Sequence, residues 1–312
     1  MFEHSYKGAD LLKAALGLLI LVSALAATAQ QRPHILGISH MAVYSSDPAA
    51  TEHFYKDILG ASKMRDPEDP AGARYYFSDR QFAEVLPLPD GQGISRMAHV
   101  AFITDDAAGL RAYLVARGNI NATELKKDSD NSWRFETKDP EGNSVQFVQG
   151  VLQEFDAMHS ISQRVIHMGF LVHDRAVEDK FYKDLLGFKP YWYGAMRPDK
   201  VDWISQQVPD GHDWIEYMMV GDGSTTPLDH VDARELGVLN HFSLGVPNME
   251  KAVTTLYAGD RLSPRHDGPQ MGKDGKWQAN LYDPDGTRVE LMEFQPVMKP
   301  CCSGFTAPSP LN

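Results

Sequence analysis

The stretch His40-Met-Ala-Val, followed by Phe54-Tyr55-Lys56-Asp57-Ile58-Leu59-Gly60, returns 127 residues later as His167-Met-Gly-Phe followed by Phe181-Tyr182-Lys183-Asp184-Leu185-Leu186-Gly187. Such a duplication restricts the chain to architectures built from equivalent modules. Each copy opens with a histidine in an apolar, β-like run and closes near an amide or acid, Gln146 in the first and Glu290 in the second. The repeat therefore frames two sets of candidate metal ligands.

Local signals divide each copy further. Ile35 to Tyr44 reads as a strand, and Asp47-Pro48 supply an N-cap and first-turn proline for a helix over 49–59 that Gly60 stops. The second copy predicts a strand over 165–172, a cap at Asp174, a helix to Leu186 and a stop at Gly187. Weaker echoes follow: a strand over 97–103 and a helix over 107–117 with Gly118 as stop, then a strand over 239–246 and a helix over 249–257 before Gly259. Asp139-Pro140-Glu141-Gly142 and Asp283-Pro284-Asp285-Gly286 are turn chemistry, delivering terminal strands over 144–148 and 288–294. Four units emerge, paired into domains over 35–150 and 164–296. A partly helical linker over 151–163 joins them, and a flexible Pro/Ser-rich tail follows over 297–312.

With 312 residues, 43% hydrophobic and only 23% charged, the chain can bury cores for about two domains, which excludes disordered classes. Its net charge of −12 argues against a nucleic-acid partner. Lys7 and Lys13, the apolar run Ala14 to Ala26 and Ala27-Thr28-Ala29 read as a signal peptide over 1–29. The mature protein is then secreted or periplasmic, with no membrane contact after cleavage. Acidic residues near the N-terminus keep a single-pass anchor as the alternative. The two cysteines, Cys301 and Cys302, are adjacent in the tail; they exclude a disulfide framework and receive no catalytic role.

This order of strands and helices, with paired histidines and with Gln or Glu after Asp-Pro-acid-Gly, resembles the vicinal oxygen chelate superfamily of glyoxalases, bleomycin-resistance proteins and type I extradiol dioxygenases. The resemblance covers about residues 35 to 296. It implies an α+β fold of four βαβββ units, paired into two glyoxalase/dioxygenase-like domains whose cupped sheets can hold a divalent metal. By position it offers His167, His241 and Glu290 of the second domain as ligands. Two imidazoles and one carboxylate leave positions open for substrate oxygens, as in non-haem Fe(II) oxygenases. Glu290 and Glu293 must face opposite sides of their strand, and only Glu290 fits the family position. The first domain supplies His40, His99 and Gln146. A neutral amide lowers affinity for a hard divalent ion, so this domain is expected to be structural and without metal, although some glyoxalases use a glutamine ligand.

The resemblance further implies Fe(II) or Mn(II), with Zn or Ni as alternatives, and a small-molecule substrate with vicinal oxygens. A ligand set in the C-terminal domain favours a dioxygenase-like enzyme of the extradiol ring-cleavage type. That branch carries an acid/base histidine shortly before the second metal histidine, and a histidine and a tyrosine upstream of the metal glutamate. The corresponding places here hold Thr226, Met271 and Asn280; the nearest residues of the required kind, His230, His266 and Tyr282, are the catalytic candidates. Between Gly187 and His241 the second domain is 15 residues longer than the first. This stretch carries Tyr191, Trp192, Tyr193, Met196, Trp203, Trp214, Tyr217, Met218 and Met219, which line a pocket for an aromatic ligand or pack the sheet. A glyoxalase-like lyase or isomerase and a non-catalytic binding protein are the alternatives. Homo-oligomerisation is left open.

Overall fold

The computed structural model describes residues 31–150, 152–155 and 159–311. The expected signal peptide lies outside them. No helix among the described residues is long and apolar enough to cross a membrane.

Residues Pro33–Asn312 form one compact unit containing two equivalent modules. In the first, β1 (Ile35–Ser45) leads into α1 (Pro48–Glu52), which widens into a π-helical turn over His53–Ile58. Strands β2 (Ser62–Arg65), β3 (Ala73–Tyr76) and β4 (Phe82–Pro87) complete that unit. The next comprises β5 (Met97–Thr104), α2 (Ala107–Gly118), β6 (Lys126–Lys127), β7 (Trp133–Lys138) and β8 (Ser144–Gln149). The second module repeats the plan with β9 (Val165–Val172), α3 (Arg175–Asp179) with a π turn over Lys180–Leu185, β10 (Lys189–Gly194), β11 (Trp203–Gln207) and β12 (Trp214–Met219). After an added helix, α4 (Ala233–Leu239), come β13 (His241–Val246), α5 (Met249–Ala258), β14 (His266–Met271), β15 (Trp277–Tyr282) and β16 (Arg288–Glu293).

Each module is one curled eight-stranded sheet, ordered β2-β3-β4-β1-β5-β8-β7-β6 and β10-β11-β12-β9-β13-β16-β15-β14. The opening strands of the paired units lie side by side and antiparallel, and each runs parallel to the last strand of its own unit. This topology explains why a histidine at the head of every unit matters. It sets His40 beside β5, which carries His99, and His167 beside β13, which carries His241.

The capping reading of α1 and α3 corresponds to real hydrogen bonds. Asp47 accepts from Ala50 N–H, and Asp174 from the N–H groups of Ala176 and Val177. Both helices then depart from a regular α-helix in the same way: Leu59 N–H bonds Phe54 O and Leu186 N–H bonds Phe181 O, a five-residue step. The wider turn accompanies burial of both members of each Phe-Tyr pair. Gly60 and Gly187 end these helices at φ +77° and +82°, where a side chain would be strained.

The modules lock together through the repeated turns. Tyr55 donates to Asp283 (3.3 Å) and Tyr182 to Asp139 (3.2 Å), each tyrosine reaching the Asp-Pro-acid-Gly turn of the other module. The acid of each turn accepts backbone N–H groups from the opposite module, Asp285 from Ser46 and Glu141 from His173 and Asp174. Gln81 adds a buried bridge, donating to Ile38 O and Val165 O while accepting from Val165 N–H.

Four sequence expectations change. The stop of α2 is Asn119, at φ +49°, instead of Gly118. The strand expected from Leu239 begins at His241, because Asp232 caps a helix that runs through Leu239. The described linker residues 152–155 and 159–163 contain no helix; 151 and 156–158 lie outside the described residues. The tail, expected to be flexible, is docked on β10: Tyr191 hydroxyl meets Ser309 Oγ at 2.6 Å, Trp192 Nε1 donates to Cys301 O, and Phe305 packs beside Tyr191. The rings of Tyr191 and Trp192 on β10, buried in the structure, give this segment an apolar surface to cover. Cys301 and Cys302 are bonded to each other.

Candidate metal centre

The second cup gathers His167, His241 and Glu290. His167 Nε2 lies 3.0 Å from His241 Nε2 and 3.2 Å from Glu290 Oε2. Register accounts for this convergence: His167 pairs with Ser243, which also pairs with Glu290, and His241 stands two residues before Ser243 on the same face. Glu293 faces the other way, where its carboxylate accepts Met249 N–H at the start of α5.

His241 Nδ1 lies 3.0 Å from Leu239 O, which can only accept. The proton is therefore on Nδ1, and Nε2 presents a lone pair to the cup. Burial holds His167 and His241 below the ordinary imidazole pKa, so both are neutral, as ligands must be. Glu290 is held below the usual carboxylate range: burial opposes its charge, but the His167 hydrogen bond and Arg288 outweigh it. The His167 ring is fixed by stacking on Trp214, with centroids 4.8 Å apart.

Glu216 was not foreseen. It enters from β12, with Oε2 3.9 Å from His241 Nε2, and with the two histidines forms a group able to hold a metal ion. Burial, then repulsion by Glu290, pushes its carboxyl up to about 8. Two cations stand nearby. Arg288 Nη2 is 2.8 Å from His241 Nε2, and Lys276 Nζ sits 4.6 Å over the Trp214 ring with no hydrogen-bond partner among the described residues. Burial brings Lys276 down to about 8, against the pull of Asp274, Glu290 and Glu216.

The donor set fits a divalent ion. Nitrogen and oxygen ligands at about 2.0–2.1 Å in a tetrahedron lie about 3.3 Å apart, and the observed separations of 3.0, 3.2 and 3.9 Å bracket that value. Arg288 and an ion are alternative partners for the His241 lone pair, so binding requires the guanidinium to swing aside. Above the donors opens a cavity of about 280 Å³ lined by Tyr191, Trp192, Met196, Trp203 and Trp214 from the aromatic-rich stretch, with Met271 and Phe305. Tyr193 points to solvent, and Tyr217 and Met218 are buried without lining the cavity.

The three catalytic candidates do not line this cavity. His230 ends a short 3₁₀ turn, its side chain 74% exposed. His266 is exposed on β14 at the sheet edge, where its Nδ1 meets Ser263 O. The Tyr282 hydroxyl is spent on Asp267 at 2.8 Å, with Arg265 stacked 3.6 Å above its ring. His230 is placed by its turn, and His266 and Tyr282 by their positions on β14 and β15, none of which sequence spacing could fix.

In the first cup His40 Nε2 and His99 Nε2 are 2.9 Å apart. Gln146, expected as the third member, donates to Glu68, and the carboxylate nearest the imidazoles is Glu84, 3.3 Å from His99 Nε2. Glu84 occupies the place of Glu216, since both lie two residues beyond the strand partner of the first histidine.

Residues 37–147 match the family model of the Glyoxalase/Bleomycin resistance protein/Dioxygenase superfamily. The first module belongs to that superfamily. The second repeats the superfamily fold strand for strand. Among solved structures, the 2,3-dioxygenase LapB from Pseudomonas sp. KL28 is similar over 86% of this chain and 97% of its own, with TM-score 0.62 and 16% identity. Homoprotocatechuate 2,3-dioxygenase from Brevibacterium fuscum, in complex with 3,4-dihydroxyphenylacetate, matches over 85% and 82% with TM-score 0.59 and 18% identity. The Arthrobacter globiformis enzyme matches over 84% and 80% with TM-score 0.60 and 16% identity. At these identities the likeness is one of fold. No curated protein sequence matches the chain.

Proposed function

We propose that the second cup is the active site of a divalent-metal enzyme that opens the ring of a small aromatic molecule bearing two adjacent oxygens. The observation that carries this reading is the convergence of two neutral imidazoles and the Glu290 carboxylate beneath a cavity walled by indole and phenol rings. His167, His241 and Glu290 would hold the ion, with Glu216 as a further donor; Fe(II) or Mn(II) suits the set. When bound, the ion supplies Lewis acidity and orients the two substrate oxygens. The chain's own groups do the rest. Trp192, Trp203 and Trp214 orient a flat ring and exclude water, Arg288 and Lys276 offset oxyanion charge, and Glu216, where it is not bound to the ion, can hold or release a proton. The dioxygenases of like fold, one of them in complex with 3,4-dihydroxyphenylacetate, support a catechol as the first substrate to try. In this reading the protein works outside the cytosol, after removal of residues 1–29.

One observation favours a second reading, a glyoxalase-like lyase or isomerase. No imidazole or free phenol other than the ligands and Tyr191 is available to the cavity among the described residues, whereas a carboxyl, Glu216, is. A carboxylate base suits proton abstraction next to a carbonyl. Protein reconstituted anaerobically with Fe(II) or Mn(II) separates the two: consumption of O₂ with catechols supports ring opening. Solvent deuterium exchange into an α-hydroxyketone without O₂ uptake supports the second reading and rejects the first.

A further inference from the structure

Both modules contain a contact series of imidazole, aromatic ring and cation, but the cation comes from a different part of each chain repeat. In the first module His40 stacks on Phe82 at 4.3 Å, and the Arg74 guanidinium lies 4.5 Å over the same ring. In the second, His167 stacks on Trp214 at 4.8 Å, and Lys276 Nζ lies 4.6 Å over it. Phe82 and Trp214 are equivalent, since each pairs with the first histidine of its module. The cations are not. Arg74 stands on β3 opposite Glu84, and the matching place on β11, opposite Glu216, holds Ser205. Lys276 instead closes the turn between β14 and β15, where the first module has Ser132: Gly272 N–H donates to Lys276 O as Asp128 N–H does to Ser132 O. A cation thus reaches the equivalent ring from two unrelated positions, which ties it to the ring and not to either segment.

We propose that Lys276 is a positioning residue of the second cup: its ammonium, gathered by the rings of Trp214, Tyr191 and Phe305, fixes the aromatic wall of the cavity and seats the C-terminal tail against it. This deepens the reading of the second cup as the site of an aromatic ligand and rests on it. The first module shows what is unusual here. Arg74 is paired with Glu68 at 2.6 Å, whereas Lys276 is fully buried and its Nζ has no hydrogen-bond partner among the described residues. Its charge is felt by Asp274, Glu290 and Glu216, none of which hydrogen-bonds it. Besides Trp214, the Phe305 ring lies 5.2 Å from Nζ and the Tyr191 ring 5.8 Å, within the reach of cation–π attraction. All three rings line the cavity, and Phe305 belongs to the tail. Burying an ammonium without a hydrogen bond is unfavourable, so the lysine is a poor choice for stability alone; an apolar side chain of like length would fill the space without that penalty. What the charge adds is orientation, because one centre drawing on three π faces restrains them together. A flat ligand then meets a wall already in place.

The test measures binding and stability side by side on the full mature chain, kept anaerobic, with and without Mn(II). Quenching of tryptophan fluorescence reads the affinity for catechol and for benzyl alcohol, a ring without vicinal oxygens, and urea unfolding reads the stability. Lys276→Met should weaken both ligands about tenfold, the worth of one desolvated cation–π contact, while the urea midpoint stays or rises. Lys276→Arg, which keeps the cation, should bind within about threefold of wild type. Unchanged affinity in Lys276→Met would overturn the proposal. So would affinity and stability falling together in both variants, the mark of a residue that only fills space. A second readout needs no substitution at Lys276: in the wild-type chain acetic anhydride should label exposed Lys273 and spare Lys276, and Phe305→Leu should open Lys276 to labelling, as peptide masses would show. Equal labelling of the two lysines in wild type would also overturn it. Benzyl alcohol keeps the result separate from the ring-opening reading, because its binding depends on the wall even where catechol is not the substrate.

Discussion

Gly169 is where the second cup is most sensitive to a single methyl group. It pairs with His241 across the sheet, and a Cβ built on it would stand 2.0 Å from His241 Cε1 and 2.5 Å from Nδ1. Ordinary contacts are about 3.5–4.0 Å, so in Gly169→Ala the imidazole must withdraw by about 1.5 Å. The ring is fully buried, and its Nδ1 bond to Leu239 O is the contact that aims Nε2 into the cup. Overpacking of about 1–3 kcal/mol and a lost hydrogen bond of about 1 kcal/mol give a destabilisation of about 2–4 kcal/mol. Misdirecting one ligand should weaken metal binding about 10–100-fold. The strand itself tolerates alanine, since Ala42 pairs with His99 at the matching place in the first module. Chelator competition on the full chain reads the affinity and urea unfolding of the metal-free protein reads the stability. Metal affinity within twofold of wild type would refute the role given to His241.

Three further outcomes are expected. Burial pushes Asp283 up to about 7 from an ordinary 3.8, so the folded state retains a proton that the unfolded state releases, and this group's contribution to stability falls as pH rises from about 4 to about 7. Asp283→Asn should therefore gain stability relative to wild type with rising pH, by up to about 4 kcal/mol, when urea unfolding is followed at pH 4.5, 6 and 8; a pH-independent difference would contradict this. Glu290→Gln should lose the ion of the second cup, while Glu293→Gln should keep it and lose only about 1 kcal/mol from the start of α5, as metal analysis and thermal melts would show. Deleting residues 303–312 removes Phe305 from the cavity wall and uncovers Tyr191. Aromatic ligand binding followed by tryptophan fluorescence should weaken at least tenfold, and unchanged binding would mean the tail is not part of the site.

Much of this fold is legible because it is written twice. The histidines were visible as heads of duplicated strands, and the strand order that juxtaposes β1 with β5 and β9 with β13 turns sequence periodicity into proximity. Glu84 and Glu216 were missed although they carry the same signal in weaker form. Phe82-Ala83-Glu84 and Trp214-Ile215-Glu216 each set an acid at an inward position of an apolar alternating strand. Arg288 and Lys276 left no such trace, since the position of Arg288 is occupied in the first module by Ser144, and a single charged residue in a strand reads as solvent-facing. His230, His266 and Tyr282 do not line the cavity because a turn places the first and strands β14 and β15 the other two, and residue spacing does not determine either. The docked tail depends on contacts more than a hundred residues away, with Tyr191 and Trp192, and a Pro/Ser-rich composition says nothing of those.

The central claim, that His167, His241 and Glu290 hold a catalytic divalent ion, is tested most directly by metal content. Wild-type chain and the His241→Ala/Glu290→Ala variant, purified anaerobically and reconstituted side by side with Fe(II), should differ by one equivalent per chain, with O₂ uptake on catechols lost in the variant. Equal metal content in the two proteins would contradict the claim.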